Sequence, residues 1–262
     1  MKRYWILAKK DEISLSIEQV IDNALSKHLS KDELHPDLLI TVGGDGTMLR
    51  AVQLYLEQLE TVHFVGIHTG TLGFYTDYEA NEVEQLIQDI LYEEYTINKM
   101  NMVEVNYQRN QANYRHYGLN EARIENIYST LVCDIKIDNE FLETFRGNGL
   151  CISSTSGSTA YNRSLGGSVI TPNIPIIQLS EIAGIHHNAY RSLQSSLILD
   201  QQHTIYCELK AINKPVLGVD QLIFDIDGVK QLEFKLSKRY VQFIHYRSIS
   251  FFDRIRKAFI NG

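Results

Sequence analysis

Two rhythms of apolar residues divide the chain. In roughly the first hundred residues, short apolar runs alternate with helical stripes. Residues 3–8 predict a strand, after which Ile13, Ile17, Val20, Ile21, Ala24 and Leu25 recur at helical spacing. Leu38-Leu39-Ile40-Thr41-Val42, bounded by Pro36, predicts a buried strand over 38–43. Met48, Leu49, Ala51, Val52, Leu54 and Leu56 predict a helix over 46–58, residues 62–67 a third strand, and Val83, Leu86, Ile87, Ile90 and Leu91 another helix. Strands alternating with helices at this spacing predict an α/β domain with a small parallel sheet.

From about residue 97 the rhythm changes. Residues 102–107, 131–137, 204–209, 222–226, 232–236 and 240–244 are strand-like, several alternate, and no long helical stripe lies between them. This half predicts an all-β domain. Phe251, Phe252, Ile255, Ala258 and Phe259 predict a last amphipathic helix that returns to the first domain. The expected division is 1–96, completed by 248–262, and 97–247. No linker of Pro, Gly and Ser, low-complexity tract or internal repeat interrupts the chain.

Composition changes this picture little. The 262 residues, 44% hydrophobic and 22% charged, are those of an ordinary globular chain. A net charge of −7 argues against nucleic acid or an anionic membrane as the main partner. No run approaches the roughly 20 apolar residues of a membrane span, and Tyr4-Trp5-Ile6-Leu7-Ala8 is too short for a signal peptide. Cys133, Cys151 and Cys207 are isolated and read as buried thiols of a reducing cytoplasm. The nine histidines form no metal-ligand pattern, so no protein-built metal site is expected.

The candidate chemistry begins at Gly43-Gly44-Asp45-Gly46-Thr47, a glycine turn between a predicted strand and a helix N-terminus. Ligands of open α/β sheets gather at that end, and the N–H groups of such a turn cradle phosphate. It is not a Walker loop, because Gly46 is followed by Thr47-Met48 rather than Lys-Ser or Lys-Thr. Nor is it a dinucleotide fingerprint, because Leu49 stands where a small third residue is needed. The plain alternative is a tight turn in which Asp45 only caps the helix. A second polar stretch spans 146–167, rich in Gly, Ser and Thr, with Tyr161, Arg146 and Arg163. It reads either as a long irregular loop or as a surface where backbone and hydroxyls meet a polar ligand.

Four segments in order carry a resemblance: Gly43-Gly44-Asp45-Gly46-Thr47, Gly70-Thr71-Leu72-Gly73-Phe74, Leu119-Asn120-Glu121, and Ser156-Gly157-Ser158-Thr159-Ala160-Tyr161-Asn162. Through them nearly the whole chain resembles the NAD kinases, in particular the short forms of Gram-positive bacteria. The first segment also occurs in lipid kinases and phosphofructokinases; the other three are specific. The resemblance implies transfer of the ATP γ-phosphoryl group to the 2′-hydroxyl of the adenosine ribose of NAD. It further implies Mg²⁺ carried with ATP, a cytoplasmic protein, and a homo-oligomer, commonly a tetramer.

Carried over residue by residue, Asp45 matches the proton acceptor. Gly43, Gly44, Gly46 and Thr47 form the phosphate loop, with Gly46 beside the substrate. Phe74 and Tyr75 match an adenine pocket, and Asn120 and Glu121 the pair that holds the dinucleotide near its ribose and phosphate. Thr159, Ala160, Tyr161 and Ser164 fall on its second adenosine or nicotinamide side, with Arg146, Ala183 and Gln221 at the edge, and Ser156 is a further substrate-binding candidate. Asn148 stands where many relatives have a substrate-contacting Asp. The rival readings are a lipid kinase, disfavoured because Met48-Leu49-Arg50-Ala51 replaces the usual Leu-Asn-Glu-Val, and a non-catalytic nucleotide sensor, disfavoured because Asp45 is intact.

Overall fold

The computed structural model describes residues 1–70, 73–210 and 214–261; Thr71 and Leu72 of the second segment lie outside them. The chain divides into two compact units, residues 1–99 with 240–262, and residues 100–239.

The first unit is an α/β layer. Its parallel strands lie in the order Ser30–Lys31, Arg3–Ala8, Leu38–Val42, His63–His68, followed by the end of Gln231–His245. All five residues of Leu38–Val42 are buried, which explains its unbroken apolar run: a central parallel strand is covered on both faces. Register pairs Ala8 with Val42 and Val42 with Ile67, so three segments reach one carboxyl edge, at Lys9, Gly43 and His68.

Helix Glu12–Leu25 is capped by Asp11, whose carboxylate accepts the Ser14 N–H at 2.9 Å. Its buried face is Ser14, Ile17, Ile21 and Leu25, while Ile13 and Val20 are exposed. The predicted stripe is thus rotated, because Ser14 turns inward to share a hydrogen bond with the Thr69 hydroxyl at 3.0 Å. The predicted helix over 46–58 is an α-helix Asp45–Leu54 and a separate 3-10 turn Leu56–Gln58. On the C-terminal helix Phe251–Phe259 the buried residue is Arg254, and Phe252 faces outward.

The second unit is a β-sandwich. One six-stranded antiparallel sheet runs Leu197–Asp200, Ile176–Ile182, Gly149–Ser154, Glu121–Glu125, Val216–Val219, Leu222–Asp225. The opposing strands include Glu140–Gly147, Leu131–Ile137, Thr204–Leu209, Gln231–His245 and the hairpin Thr96–Arg109 with Ala112–Gly118. Ile124, Leu150 and Leu217 of one sheet and Ile135, Ile205 and Phe234 of the other share one apolar core. Cys133, Cys151 and Cys207 are buried thiols.

Two sequence expectations change here. The strand-like runs 232–236 and 240–244 are one strand, Gln231–His245, which begins in the second unit and ends in the first. The polar stretch 146–167 is not one irregular loop, since Gly149–Ser154 is a strand buried at every position. Small residues allow this, because neighbouring backbones come very close: a Cβ on Gly149 would stand 2.3 Å from the Ile124 carbonyl oxygen.

Candidate active site

In the first unit the chemistry gathers at the carboxyl edge. Gly43 has φ +155°, and a Cβ there would stand 2.3 Å from Thr47 Oγ1, so glycine is required. Gly44 is the N-cap of helix Asp45–Leu54 and supplies no side-chain cap. No side chain caps the first turn, in which the Thr47 N–H already donates to the Gly44 carbonyl at 2.9 Å, so its remaining N–H groups face the cleft side of the helix dipole. A cleft of about 890 Å³ opens beside this turn, lined among others by Lys9, Lys10, Gly44, Thr47, Arg50 and Thr69. Three cations, a hydroxyl pair and a helix N-terminus favour a polyanion here, set against the Asp11 and Glu12 carboxylates that line the same cleft, with Asp11 3.1 Å from the Lys9 ammonium. Sequence reading passed over Lys9, Lys10 and Arg50. The available signal was that Lys9-Lys10 directly follows the first strand, hence leaves at the same edge as Gly43.

Asp45 does not cap its own helix. Its carboxylate crosses to another segment, where Oδ2 accepts the Phe74 N–H at 2.8 Å and Oδ1 accepts the Tyr75 N–H at 3.1 Å. A Cβ on Gly73 would stand 2.1 Å from Asp45 Oδ1, so the loop backbone lies directly against the carboxylate. Phe74 is half-buried, its ring packed on Phe259 and Phe251 at centroid distances of 5.6 and 6.4 Å. Tyr75 is buried and stacked on Phe243 at 5.4 Å.

In the second unit the turn Leu119-Asn120-Glu121 is held by Asp220. Its carboxylate accepts the N–H groups of Leu119 and Asn120 at 2.8 Å each, and that of Glu121 at 3.3 Å. Gly157 packs on the same turn, since a Cβ there would stand 2.1 Å from the Asn120 carbonyl oxygen. Arg123 lies 3.2 Å from Glu121 and 5.3 Å from the Tyr161 ring centre, which ties Tyr161 to the cluster. Gln221 follows Asp220 in the adjoining hairpin turn. Sequence reading named neither Arg123 nor Asp220, because both act through other residues of the site.

Glu121 is the anomaly of this cluster. It is 5% exposed, and Oε2 has no hydrogen-bond partner among the described residues. Burial, with the nearby Asp220 carboxylate adding to it, pushes its carboxyl up to about 7 against the pull of Arg123. Arg146, Asn148 and Ala183 gather elsewhere in the unit: Arg146 C=O accepts the Ile185 N–H at 2.7 Å, and Asn148 N–H donates to Ile182 C=O at 2.9 Å. Ala183 sits there in a left-handed conformation, φ +46°. The Arg146 guanidinium covers the Tyr190 ring at 4.4 Å. Ser156, Thr159 and Ala160 are half-buried on the 3-10 turn and its cap; Ser164 and the Asn148 side chain are exposed.

Both halves match known family patterns, the ATP-NAD kinase N-terminal domain over residues 8–95 and the ATP-NAD kinase C-terminal domain over 119–246. The chain belongs to the NAD kinase family. It is 38% identical to NAD kinase 1 of Halalkalibacterium halodurans over 263 residues, covering 98% of both chains. It is 39% identical to an NAD kinase of Shouchella clausii over 267 residues, covering 99% of both. Among solved structures, the yeast NADH kinase complexed with NADH superposes with a TM-score of 0.83 at 20% identity, covering all of this chain and 89% of that one. An NAD kinase from Archaeoglobus fulgidus in complex with ATP gives 0.77 at 20% identity, covering 98% and 99%. At that identity the two structures attest the shared fold, an α/β unit and an antiparallel β unit with a C-terminal helix. The lipid-kinase reading falls, because both halves match the NAD kinase patterns.

Proposed function

We infer that this chain is an NAD kinase by activity as well as by family: it moves the γ-phosphoryl group of ATP to the 2′-hydroxyl of the adenosine ribose of NAD, giving NADP and ADP, with Asp45 as proton acceptor. The observation that carries the role of Asp45 is its carboxylate, pinned on the Phe74 and Tyr75 N–H groups beside the cleft that carries Lys9, Lys10 and Arg50. The ribose oxygen bonds to the γ-phosphorus as the bond to the β–γ bridging oxygen breaks. ADP leaves with that electron pair, and the hydroxyl proton passes to Asp45. A loose phosphoryl-transfer transition state asks for orientation first and proton removal late, which a fixed carboxylate supplies.

Lys9, Lys10, Arg50, Thr47 and the open helix N-terminus bind the triphosphate. The donors near the turn fit a divalent metal held mainly through nucleotide phosphates. Asp45 on the turn, with Asp11 and Glu12 on the cleft lining, offers few oxygen ligands, which fits a metal that takes most of its ligands from the nucleotide. Bound Mg²⁺ offsets charge on the phosphate oxygens. Asn120 and Glu121 take the ribose and phosphate of the dinucleotide, Phe74 and Tyr75 line the adenine pocket, with the Tyr75 ring itself buried against Phe243, and Ser156, Thr159, Ala160, Tyr161 and Ser164 take the other end of the dinucleotide. Arg146, Asn148, Ala183 and Gln221 stand at the rim.

We also propose a cytoplasmic homo-oligomer. No helix among the described residues is long and apolar enough to cross a membrane, and Ile127, Tyr128 and Ile223 are exposed apolar side chains of the second unit. Sedimentation of the purified protein measures the number of subunits. The activity is tested by incubating it with NAD and MgATP and assaying NADP with an NADP-specific dehydrogenase. NADP and ADP in equal amounts are expected. ATP consumption without NADP, or phosphorylation of diacylglycerol instead, overturns the reading.

A further inference from the structure

We propose that Arg254 is a positioning residue for Asp45, acting through the Gly73–Phe74 peptide group; this rests on the reading of Asp45 as proton acceptor. Arg254 is 6% exposed, an unusual state for a guanidinium. Its Nη1 donates to the carbonyl oxygens of Gly73 at 2.9 Å and Thr76 at 2.5 Å, and its Nη2 donates to Asp77 Oδ1. Asp77 is itself buried, and its Oδ2 lies 2.5 Å from His245 Nδ1.

One amide links the two charges. The Gly73 carbonyl oxygen accepts from Arg254, and the N–H of the same peptide group, on Phe74, donates to Asp45 Oδ2 at 2.8 Å. A cation on the oxygen polarises the amide and strengthens its N–H as a donor. The link is stiff as well as polar. Gly73 leaves no space between loop and carboxylate, and Phe251 and Phe259 of the same helix pack on the Phe74 ring. The C-terminal helix therefore grips residues 73–77 twice, by aromatic contact and by the guanidinium, and any displacement of that loop is passed to Asp45.

An ion pair with Asp77 alone would only fasten the helix. What separates the two roles is that Lys keeps the charge but cannot span two carbonyls and a carboxylate at once. In full-length protein, Arg254→Lys should lower kcat by roughly 10–100-fold, the scale of a misplaced reacting group, with KM for ATP near the parent value and affinity for NAD, which the same loop touches through Phe74, changed less than kcat. In an Arg254→Ala variant, added guanidinium should restore part of kcat. On the Asp45→Asn background, Arg254→Lys should lower the residual rate hardly at all, because its effect runs through Asp45. Melting temperatures of all variants report folding, and the Lys variant, the mildest change, carries the test if the Ala variant does not fold.

A folded Arg254→Lys protein with parental kcat overturns the proposal. So does an equal loss on the parent and Asp45→Asn backgrounds. Those outcomes leave the kinase reading standing, whereas parental turnover in Asp45→Asn alone sinks the acceptor assignment and the positioning role with it.

Discussion

Asp45 in the first unit and Glu121 in the second are both drawn back from water, and the two carboxylates are served in opposite ways. Each oxygen of Asp45 accepts a backbone N–H, and the segment that donates them is itself held by Arg254. Glu121 is more deeply buried, faces the Asp220 carboxylate, and keeps one oxygen with no partner among the described residues. Satisfying a carboxylate in advance fixes its position. Leaving one unsatisfied in a buried place costs stability and is recovered only when a donor arrives. The first arrangement suits a group that must be in place before the reaction, the second a group that recognises a ligand.

The contrast breaks most sharply at Asp45. Asp45→Asn keeps the size of the side chain and removes the proton acceptor, so turnover should fall by roughly 10²–10⁴-fold with NAD affinity nearly unchanged. Turnover and calorimetric titration of the same preparation decide it, and a variant within a few-fold of the parent ends the catalytic assignment. Gly73→Ala tests position rather than chemistry. The new Cβ would stand 2.1 Å from Asp45 Oδ1, and Gly73 has no positive φ that would add backbone strain. A loss of about 10²-fold in turnover is expected, with a smaller loss of NAD affinity because Phe74 is the next residue. A normal rate would mean that the loop yields and does not fix the carboxylate.

Legibility in the sequence followed the same division. The parallel sheet and its helices were readable because Leu38–Val42 is buried throughout and the helices carry apolar stripes. The turn at Gly43–Thr47 was readable because φ +155° at Gly43 demands glycine. The partner of Asp45 was not. Phe74 and Tyr75 donate backbone N–H groups, which every residue but Pro has, so nothing in their side chains announces it. Arg254 was hidden by its helix, whose aromatic pattern predicts an apolar contact face while the residue that is buried is charged. Strand Gly149–Ser154 escaped because its small residues mark close backbone approach, a feature of neighbours distant in sequence. Asp220 escaped for a related reason, since the N–H groups it accepts, those of Leu119 and Asn120, are 101 and 100 positions away in sequence, while Arg123 touches Glu121 only two residues along a strand.

At Glu121 the expected effects are smaller and depend on pH. Glu121→Ala should weaken NAD binding by roughly 1–3 kcal/mol, read by calorimetry, if the carboxylate accepts ribose hydroxyls. With its carboxyl raised from 4.5 to about 7, the group contributes stability that is fully present below pH 4.5 and is lost as pH rises through 7. That loss amounts to about 3 kcal/mol, and Glu121→Gln should flatten it in denaturant titrations at pH 5 and pH 8. Ribose hydroxyls favour the ionised form, so NAD should bind roughly tenfold more tightly at pH 8 than at pH 6 and release a proton on binding. A parent affinity that does not change with pH would make the buried charge structural and dissolve the contrast with Asp45.

The smallest effect is expected at Asn148, which belongs to neither arrangement. Its backbone is committed: the N–H donates to Ile182 C=O at 2.9 Å, and the C=O accepts the Asn126 N–H at 2.8 Å. The flanking glycines serve their own neighbours, since a Cβ on Gly147 would stand 2.8 Å from the Ala183 carbonyl oxygen and one on Gly149 2.3 Å from that of Ile124. Substitution at 148 therefore changes only an exposed side chain, and the fold should tolerate it with less than about 0.5 kcal/mol of stability lost. An amide donates and accepts where an ionised carboxylate only accepts, so Asn148→Asp should shift affinity for NAD or NADP by about 1 kcal/mol. Asn148→Leu offers neither group and should weaken binding more than the Asp variant does. Titrating both nucleotides into both variants settles the matter. Parental affinities throughout would reduce Asn148 to the residue that joins two strands, and leave Glu121 as the carboxylate on which dinucleotide recognition in the second unit depends.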